Sequence, residues 1–155
     1  MGYFLANQKF EQADNLYGAQ NYTGAIRLYT EGIQLNPNNV AAYYNRGLAY
    51  SNLNQYEQAI SDFSKAIALK PDFAEAYYNR GVIYDRLRGF AWEVEVKHKE
   101  QAVQDFSKAI ELNPNFAEAY RARAGIYLTF SLADDALLEK AKADAAKANE
   151  LSYNG

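Results

Sequence analysis

An all-α solenoid of stacked helix pairs is the fold class this sequence predicts, on three observations. The first is repetition at a fixed interval: Pro37 and Pro71, Ala25 and Ala59, Tyr43 and Tyr77, Arg46 and Arg80, and Gly47 and Gly81 each lie 34 residues apart. Self-similarity at such a period marks a chain built from one supersecondary unit used repeatedly. The second is the spacing inside each copy, where small and apolar residues recur every three or four positions, as on one helical face. The third is punctuation. The copies close on "LNP", "LKP" and "LNP", and proline cannot continue a helix and biases the residue before it away from α.

The interval stretches twice. Ala59 to Ala102, Phe63 to Phe106 and Pro71 to Pro114 are 43 apart, so nine residues enter between Tyr84 and Ala102. Ala102 to Ala141, Asp105 to Asp144 and Lys108 to Lys147 are 39 apart, so five more enter between Tyr127 and Ala141. One domain over 1–155 is expected, with copies near 6–39, 40–73, 74–116 and 117–155. In the second copy Tyr43, Gly47 and Tyr50 share one face of a first helix, and Ala59, Phe63, Ala66 and Ile67 share one face of a second. The break between them falls at Asn52 to Gln55. Gly47 and Ala59 lack bulk where antiparallel helices must approach, so small is expected to face small, with Tyr50 and Phe63 filling the wider gaps. Asp72 with Glu75, and Asn115 with Glu118, have the spacing of an N-cap and its reciprocal third residue. A single pair of this kind cannot bury its apolar face alone, whereas stacked copies share a continuous core.

Composition narrows the function. Of 155 residues, 19 are acidic and 16 basic, a net charge of −3, which leaves no basic surplus to hold a phosphate backbone. Nucleic acid is therefore not an expected partner. Zero Cys excludes disulfides, zinc–thiolate sites and thiol catalysis. No apolar run reaches the roughly 20 residues of a membrane span, and Lys9 followed by polar residues does not read as a secretory start. A cytoplasmic protein without membrane insertion is the expectation. Fourteen Tyr supply rings that bury while their hydroxyls stay wet.

The pattern small, Tyr, small, Phe, small, Pro resembles the tetratricopeptide repeat family, the 34-residue helix-turn-helix unit. It is carried by Tyr43, Gly47, Tyr50, Ala59, Phe63, Ala66 and Pro71 and, in register, by Tyr77, Gly81, Tyr84, Ala102, Phe106, Ala109 and Pro114. The end copies drift: the first has Ala13 and Leu16 for the Gly and Tyr, and the last has Ala145 for the Phe and Tyr153 for the Pro. The resemblance implies a right-handed α-solenoid of four helix pairs whose first helices line a concave surface. It implies an adaptor that binds a peptide or protein segment there. Removing the packing residues from those helices leaves a candidate groove of Phe10, Asp14, Tyr44, Asn45, Leu48, Asn52, Tyr78, Asn79, Val82, Arg86, Arg121 and Gly125. Asn45 and Asn79, in register, offer amide donors and acceptors to an extended backbone, and Tyr44 and Tyr78 add rigid contact area. The alternative is that these rings only cover neighbouring helices.

The family's clamp for the C-terminal carboxylate of heat-shock chaperones uses Lys and Asn, then Asn, then Lys and Arg. Here those places hold Phe10, Asp14, Asn45, Glu75 and Asn79, or one copy on Tyr44, Leu48, Asn79, Glu118 and Ala122. Asp14 and Glu75 repel a carboxylate, so this clamp is not expected. An enzyme is not expected either. Glu93, Glu95 and His98 invite a metal, but Glu93 with Lys97 and Glu95 with Lys99 read as helical charge pairs on a solvated face, and no cofactor or metal is assigned. Asp134 and Asp135 read as helix N-terminal residues.

Two further expectations come from comparing copies. Arg46, Arg80 and Arg123 appear in the copies that carry Asp62, Asp105 and Asp144, while copy one has Gln12 and Leu28. Ion pairs within each helix pair are predicted, with Asp62 to Arg80 and Asp105 to Arg123 as the alternative. The insertions should share one edge. Gly89 is a plausible helix stop, after which Trp92, Val96 and Val103 extend the next helix backwards by about two turns; the rival is a strand in which Phe90, Trp92, Val94 and Val96 alternate with polar residues. Ser131 with Asp134 predicts an early start for the last helix. Phe90, Trp92 and Val96 are expected to cluster with Phe130, Leu132 and Leu137, or else to form an exposed second interaction edge. A structural solenoid that assembles through its ends and this edge is the second functional reading, and the chain is expected to be a monomer or weak homo-oligomer.

Overall fold

The computed structural model describes residues 2–87, 92–131 and 134–153, and among them it holds eight helices and no strand. They are α1 (Gly2–Gly18), α2 (Tyr22–Leu35), α3 (Val40–Asn52), α4 (Tyr56–Leu69), α5 (Ala74–Arg86), α6 (Trp92–Leu112), α7 (Ala117–Phe130) and α8 (Asp135–Tyr153). The fold is all-α, in four helix pairs, as the period predicts. The helices end where the prolines require, at Leu35, Leu69 and Leu112, each two residues before its Pro. Inside the first two pairs the reversal is made at Gln20 (φ 59°) and Asn54 (φ 56°), the left-handed region that Asn tolerates better than most residues.

By compactness the chain divides into two units, Met1–Asp72 and Phe73–Gly155. In the first, α1 packs on α2 and α3 on α4, while α2 meets α3 and α1 touches α3. Its core joins Ala6, Phe10, Ala13, Ala25, Leu28, Tyr29, Ile33 and Ala42, with Tyr29 the largest side chain fully enclosed there. In the second, α5 pairs with α6, α7 with α8, and α6 meets α7. Ala102, Phe106 and Ile126 centre that core, flanked by Tyr78, Val82, Val103 and Phe130.

Gly47 makes room not for a small partner but for a large one. A Cβ built there would stand 2.9 Å from Cε1 of Phe63 and 3.3 Å from Cβ of Asp62, and one on Gly81 would stand 2.9 Å from Cε1 of Phe106. The missing methyl lets a fully buried ring come up against the first helix. The expected caps are displaced by one residue. Asn39 caps α3, accepting from the Ala42 amide at 2.8 Å, but the places in register are Phe73 and Phe116, which give no side-chain cap. Asp72 and Asn115 fall before the cap, in the turn that follows each Pro.

The first insertion is helical. Lys99 is in register with Tyr56, the first residue of α4, yet α6 already begins at Trp92 and runs 21 residues against 14 for α4. Two extra turns precede the ordinary repeat, and the strand reading is excluded over the described part. Helix α8 also starts early, at Asp135, but Ser131 serves as the C-cap of α7. Asp134 is the N-terminal acceptor, taking the Ala136 amide at 2.9 Å. Gly89, Phe90 and Leu132 lie outside the described residues.

Candidate functional site

The first helices of residues 1–72 form one wall of a cleft of about 350 Å³. Helix α1 contributes Asn7, Phe10, Glu11 and Asp14 at helical spacing, α3 contributes Ala42 and Asn45, and Tyr29 of α2 forms the floor. Asp14 is the hub: its Oδ1 accepts from the Tyr29 hydroxyl and from Nδ2 of Asn45 at 3.2 Å. Burial first, and then this carboxylate, push the Tyr29 hydroxyl well above the usual phenol range, so Tyr29 is a fixed donor.

Several groove residues are less available than the sequence reading assigned. Phe10 is buried, its ring seated where a Cβ on Gly32 would otherwise be. The amide donors of the Asn residues are engaged within the chain: Asn45 on Asp14, Asn52 on Tyr17 Oη at 3.2 Å and the Leu48 carbonyl at 2.9 Å, and Asn79 on the Glu75 carbonyl at 2.9 Å. An Asn on a helix finds the carbonyl four residues back within its reach. Tyr44 tilts over Phe63 at 5.8 Å, and Tyr78 over Phe106 at 5.7 Å and Phe116 at 4.8 Å. These rings do cover neighbours, while remaining half-buried. In residues 73–155, Val82 packs on the core, Arg121 donates to Ser152 Oγ at 3.1 Å, and Arg86 stands exposed at the end of α5.

The Arg–Asp pairs form within each copy, not between copies. Nε and Nη2 of Arg46 meet both Asp62 oxygens at 2.7 and 2.8 Å, Arg80 meets Asp105 at 2.8 Å twice, and Arg123 meets Asp144 at 2.7 and 2.8 Å. All three carboxylates are buried, so these pairs are structural and not ligand contacts. The sequence reading missed what surrounds them. Each Arg has a Tyr three residues before it and another four residues after it. Arg46 stands 5.7 and 5.8 Å from the Tyr43 and Tyr50 ring centres, and Arg123 stands 5.8 and 5.9 Å from those of Tyr120 and Tyr127. The recurring spacing Tyr, Arg, Tyr was the available signal. The remaining nitrogen, Nη1, reaches the preceding copy: Thr30 Oγ1 at 2.9 Å from Arg46 and Ser107 Oγ at 2.8 Å from Arg123.

His98 stacks on Tyr84 at 6.3 Å, and Lys99 turns away from the Glu residues of its own helix to bind Asp85 at 2.7 Å. Among the described residues no three His, Asp or Glu side chains are placed to hold a metal. Val96, Phe130 and Leu137 do come together, lining a cleft of about 690 Å³ with Val103, Ile126 and Tyr127. Phe90 and Leu132, and the side chain of Trp92, lie outside the described residues.

Family models of the tetratricopeptide repeat match residues 13–54, 40–73 and 94–116, which together take in more than half of the chain. The chain belongs to the tetratricopeptide repeat family. Small glutamine-rich tetratricopeptide repeat-containing protein beta of Rattus norvegicus is 39% identical over 51 residues, 33% of this chain and 17% of that protein. Serine/threonine-protein phosphatase 5 of Homo sapiens is 46% identical over 39 residues, 25% of this chain and 8% of that one. The matched stretch thus spans less than a fifth of either relative. Among solved structures, MamA superposes with a TM-score of 0.82 at 23% identity, over 96% of this chain and 79% of that one. The first TPR of Spaghetti (RPAP3), bound to the HSP90 peptide SRMEEVD, gives 0.71 at 28% identity over 82% and 94%. The second TPR domain of human RPAP3, in complex with the HSP70 peptide SGPTIEEVD, gives 0.70 at 25% identity over 81% and 98%.

Proposed function

We propose that this protein is a protein-interaction adaptor that takes a peptide or protein segment on the face of its first helices. The single observation that carries the reading is the cleft of residues 1–72, where Glu11, Asp14, Asn7 and Asn45 surround an apolar floor. Two of the similar structures hold peptides, which supports the mode of use but not the same ligand. Both of those peptides end in Glu-Glu-Val-Asp. In this chain the cleft of residues 1–72 is lined by Glu11 and Asp14 and by no Lys or Arg, so the ligand proposed is a segment carrying Lys or Arg beside an apolar anchor. Tyr44, Leu48 and Asn52 extend that face on α3, and in residues 73–155 Tyr78, Asn79, Val82, Arg86 and Arg121 form a patch of their own on α5 and α7. The reading assigns no catalytic role and no cofactor, and with a net charge of −3 it favours protein over nucleic acid.

The test is a selection from displayed random peptides on the full chain, followed by affinity measurements. Selected peptides are expected to be rich in Lys and Arg, and the best should lose about tenfold or more in affinity on Glu11→Lys or Tyr44→Ala. A peptide ending in Glu-Glu-Val-Asp is expected not to compete. Selection of acidic tails, or affinity unchanged by both substitutions, rejects the reading.

One observation favours assembly through the chain's end as a second reading: Tyr3 and Phe4, at the start of α1, are each 69% exposed. Sizing at rising concentration, with Phe4→Ser as the comparison, distinguishes it.

A further inference from the structure

The insertions build something the plain repeat lacks. Val96 lies in the two turns that α6 adds before the place where α4 begins, and Leu137 lies in the turn that α8 adds. Together with Val103 of α6 and Ile126, Tyr127 and Phe130 of α7, they wall an open apolar cleft of about 690 Å³. Only Ile126 of these is buried; the others keep contact with solvent. The cleft is far from the acidic hub at Asp14 in sequence and belongs wholly to residues 73–155.

Lys99 and Glu100 line the cleft, and the described residues around them add more acids than bases. Glu93, Val96, Glu100 and Val103 follow at three and four residues, so the two carboxylates flank the cleft along one face of α6. Glu100 lines it and is exposed, and it has no ion pair among the described residues. Asp134 and Asp135 stand beside Leu137 at the start of α8. Of the nearby cations, Lys99 is consumed by Asp85 at 2.7 Å, Lys142 by Glu139 at 2.8 Å, and Lys140 lies 5.9 Å over the Tyr127 ring. Among the described residues, Lys97 and Lys140 are then what opposes Glu93, Glu100, Asp134 and Asp135. The walls are helices, and among the described residues there is no strand edge to extend. A partner therefore has to anchor by side chains, as an amphipathic helix does when it lays residues at i, i+3, i+4 and i+7 into a groove.

We propose that this cleft is a second docking site, for a cationic amphipathic helix of a protein partner, with its apolar stripe on Val96, Phe130 and Leu137 and its Lys or Arg residues against Glu100 and the start of α8. The probe is a fluorescein-labelled peptide of about 18 residues with Leu at i, i+3, i+4 and i+7 and Lys elsewhere, titrated with the full chain. A control peptide carries Glu for every Lys. Binding is expected to fall about tenfold or more with Glu100→Lys and with Leu137→Lys. It is expected to stay unchanged with Glu57→Lys, an exposed carboxylate on α4. The control peptide is expected not to bind. Amide shifts on binding should centre on Val96, Glu100 and Leu137, a readout that stands even if one variant misfolds. Shifts at Asp14 and Asn45 instead, equal binding of the Glu peptide, or equal loss in Glu57→Lys would each overturn the site. So would a dimer of the free chain that Leu137→Lys dissolves, since a second copy would then be the occupant. Failure here leaves the first-helix reading untouched, because that one is read on different amides.

Discussion

Single glycines in this chain do opposite things, and the difference is measurable. Gly47 lies mid-helix with Phe63 at 2.9 Å from where its Cβ would be, whereas Gly125, also mid-helix, has nothing within 4 Å. Ala improves an open helical site by up to about 1 kcal/mol, while forcing bulk against a packed ring costs about 1–3 kcal/mol. Gly47→Ala is therefore expected to destabilise by about 1–2 kcal/mol net, and Gly125→Ala to stabilise by up to about 1 kcal/mol, both read from denaturant midpoints. The repeat spacing showed that Gly47 and Gly81 pack and that Gly125 falls out of the pattern. It did not show that the neighbour is Phe63, because period gives the face of a helix and not which residue meets it. The same blindness hid that Phe10, which lines the cleft, is buried against Gly32, and let Asn45 and Asn79 appear available when each lies within reach of an intrachain acceptor.

At the scale of helix pairs, covariation between copies was the most informative reading of the sequence. It located the Arg46–Asp62 fork and its two equivalents, which join the first helix of a pair to the second. Because Asp62 is 4% exposed, removing its partner strands a buried charge, and Arg46→Met should cost about 3 kcal/mol or more. Copy one already shows the apolar solution, with Leu28, 6% exposed, in the place of the Asp. The double variant Arg46→Met, Asp62→Leu is thus expected to recover most of that loss, a coupling that a double-mutant cycle measures directly. Helix boundaries were legible from proline at one end. At the other end they were not, because the capping place in later copies is Phe73 and Phe116, which carry no cap signal. The helical state of the insertion came through the Glu and Lys spacing, although Lys99 turned out to serve Asp85.

For the molecule as a whole, tyrosine sets the alkaline limit. Tyr29 loses solvent to the core and donates to Asp14, and burial also raises Tyr17 and Tyr78 from their ordinary value of 10.0. A raised folded pKa means that the unfolded chain gives up its protons first. The stabilisation is then complete below pH 10 and is lost as pH climbs through the folded values. Thermal unfolding is expected to be nearly independent of pH between 8 and about 9.5 and to drop steeply above about 10. Tyr29→Phe should soften that drop; an unchanged slope would count against the assignment. The fold class was readable from the period alone, and so was Asp14's place on the first-helix face, but its hydrogen bonds to Tyr29 and Asn45 were not. Asp14 and Glu11 gain their meaning from what α2 and α3 bring beside them.

One contact described above concerns how such a chain grows. Arg46 spends two nitrogens within its own pair and the third on the hydroxyl of Thr30, one copy back, and Arg123 does the same with Ser107. The place in register within residues 40–73 is Ser64. A stretch of that length therefore carries a guanidinium at its front and a hydroxyl at its back, the two halves of one joint. Tandem duplication of residues 40–73 is therefore expected to supply a matched seam without any compensating substitution.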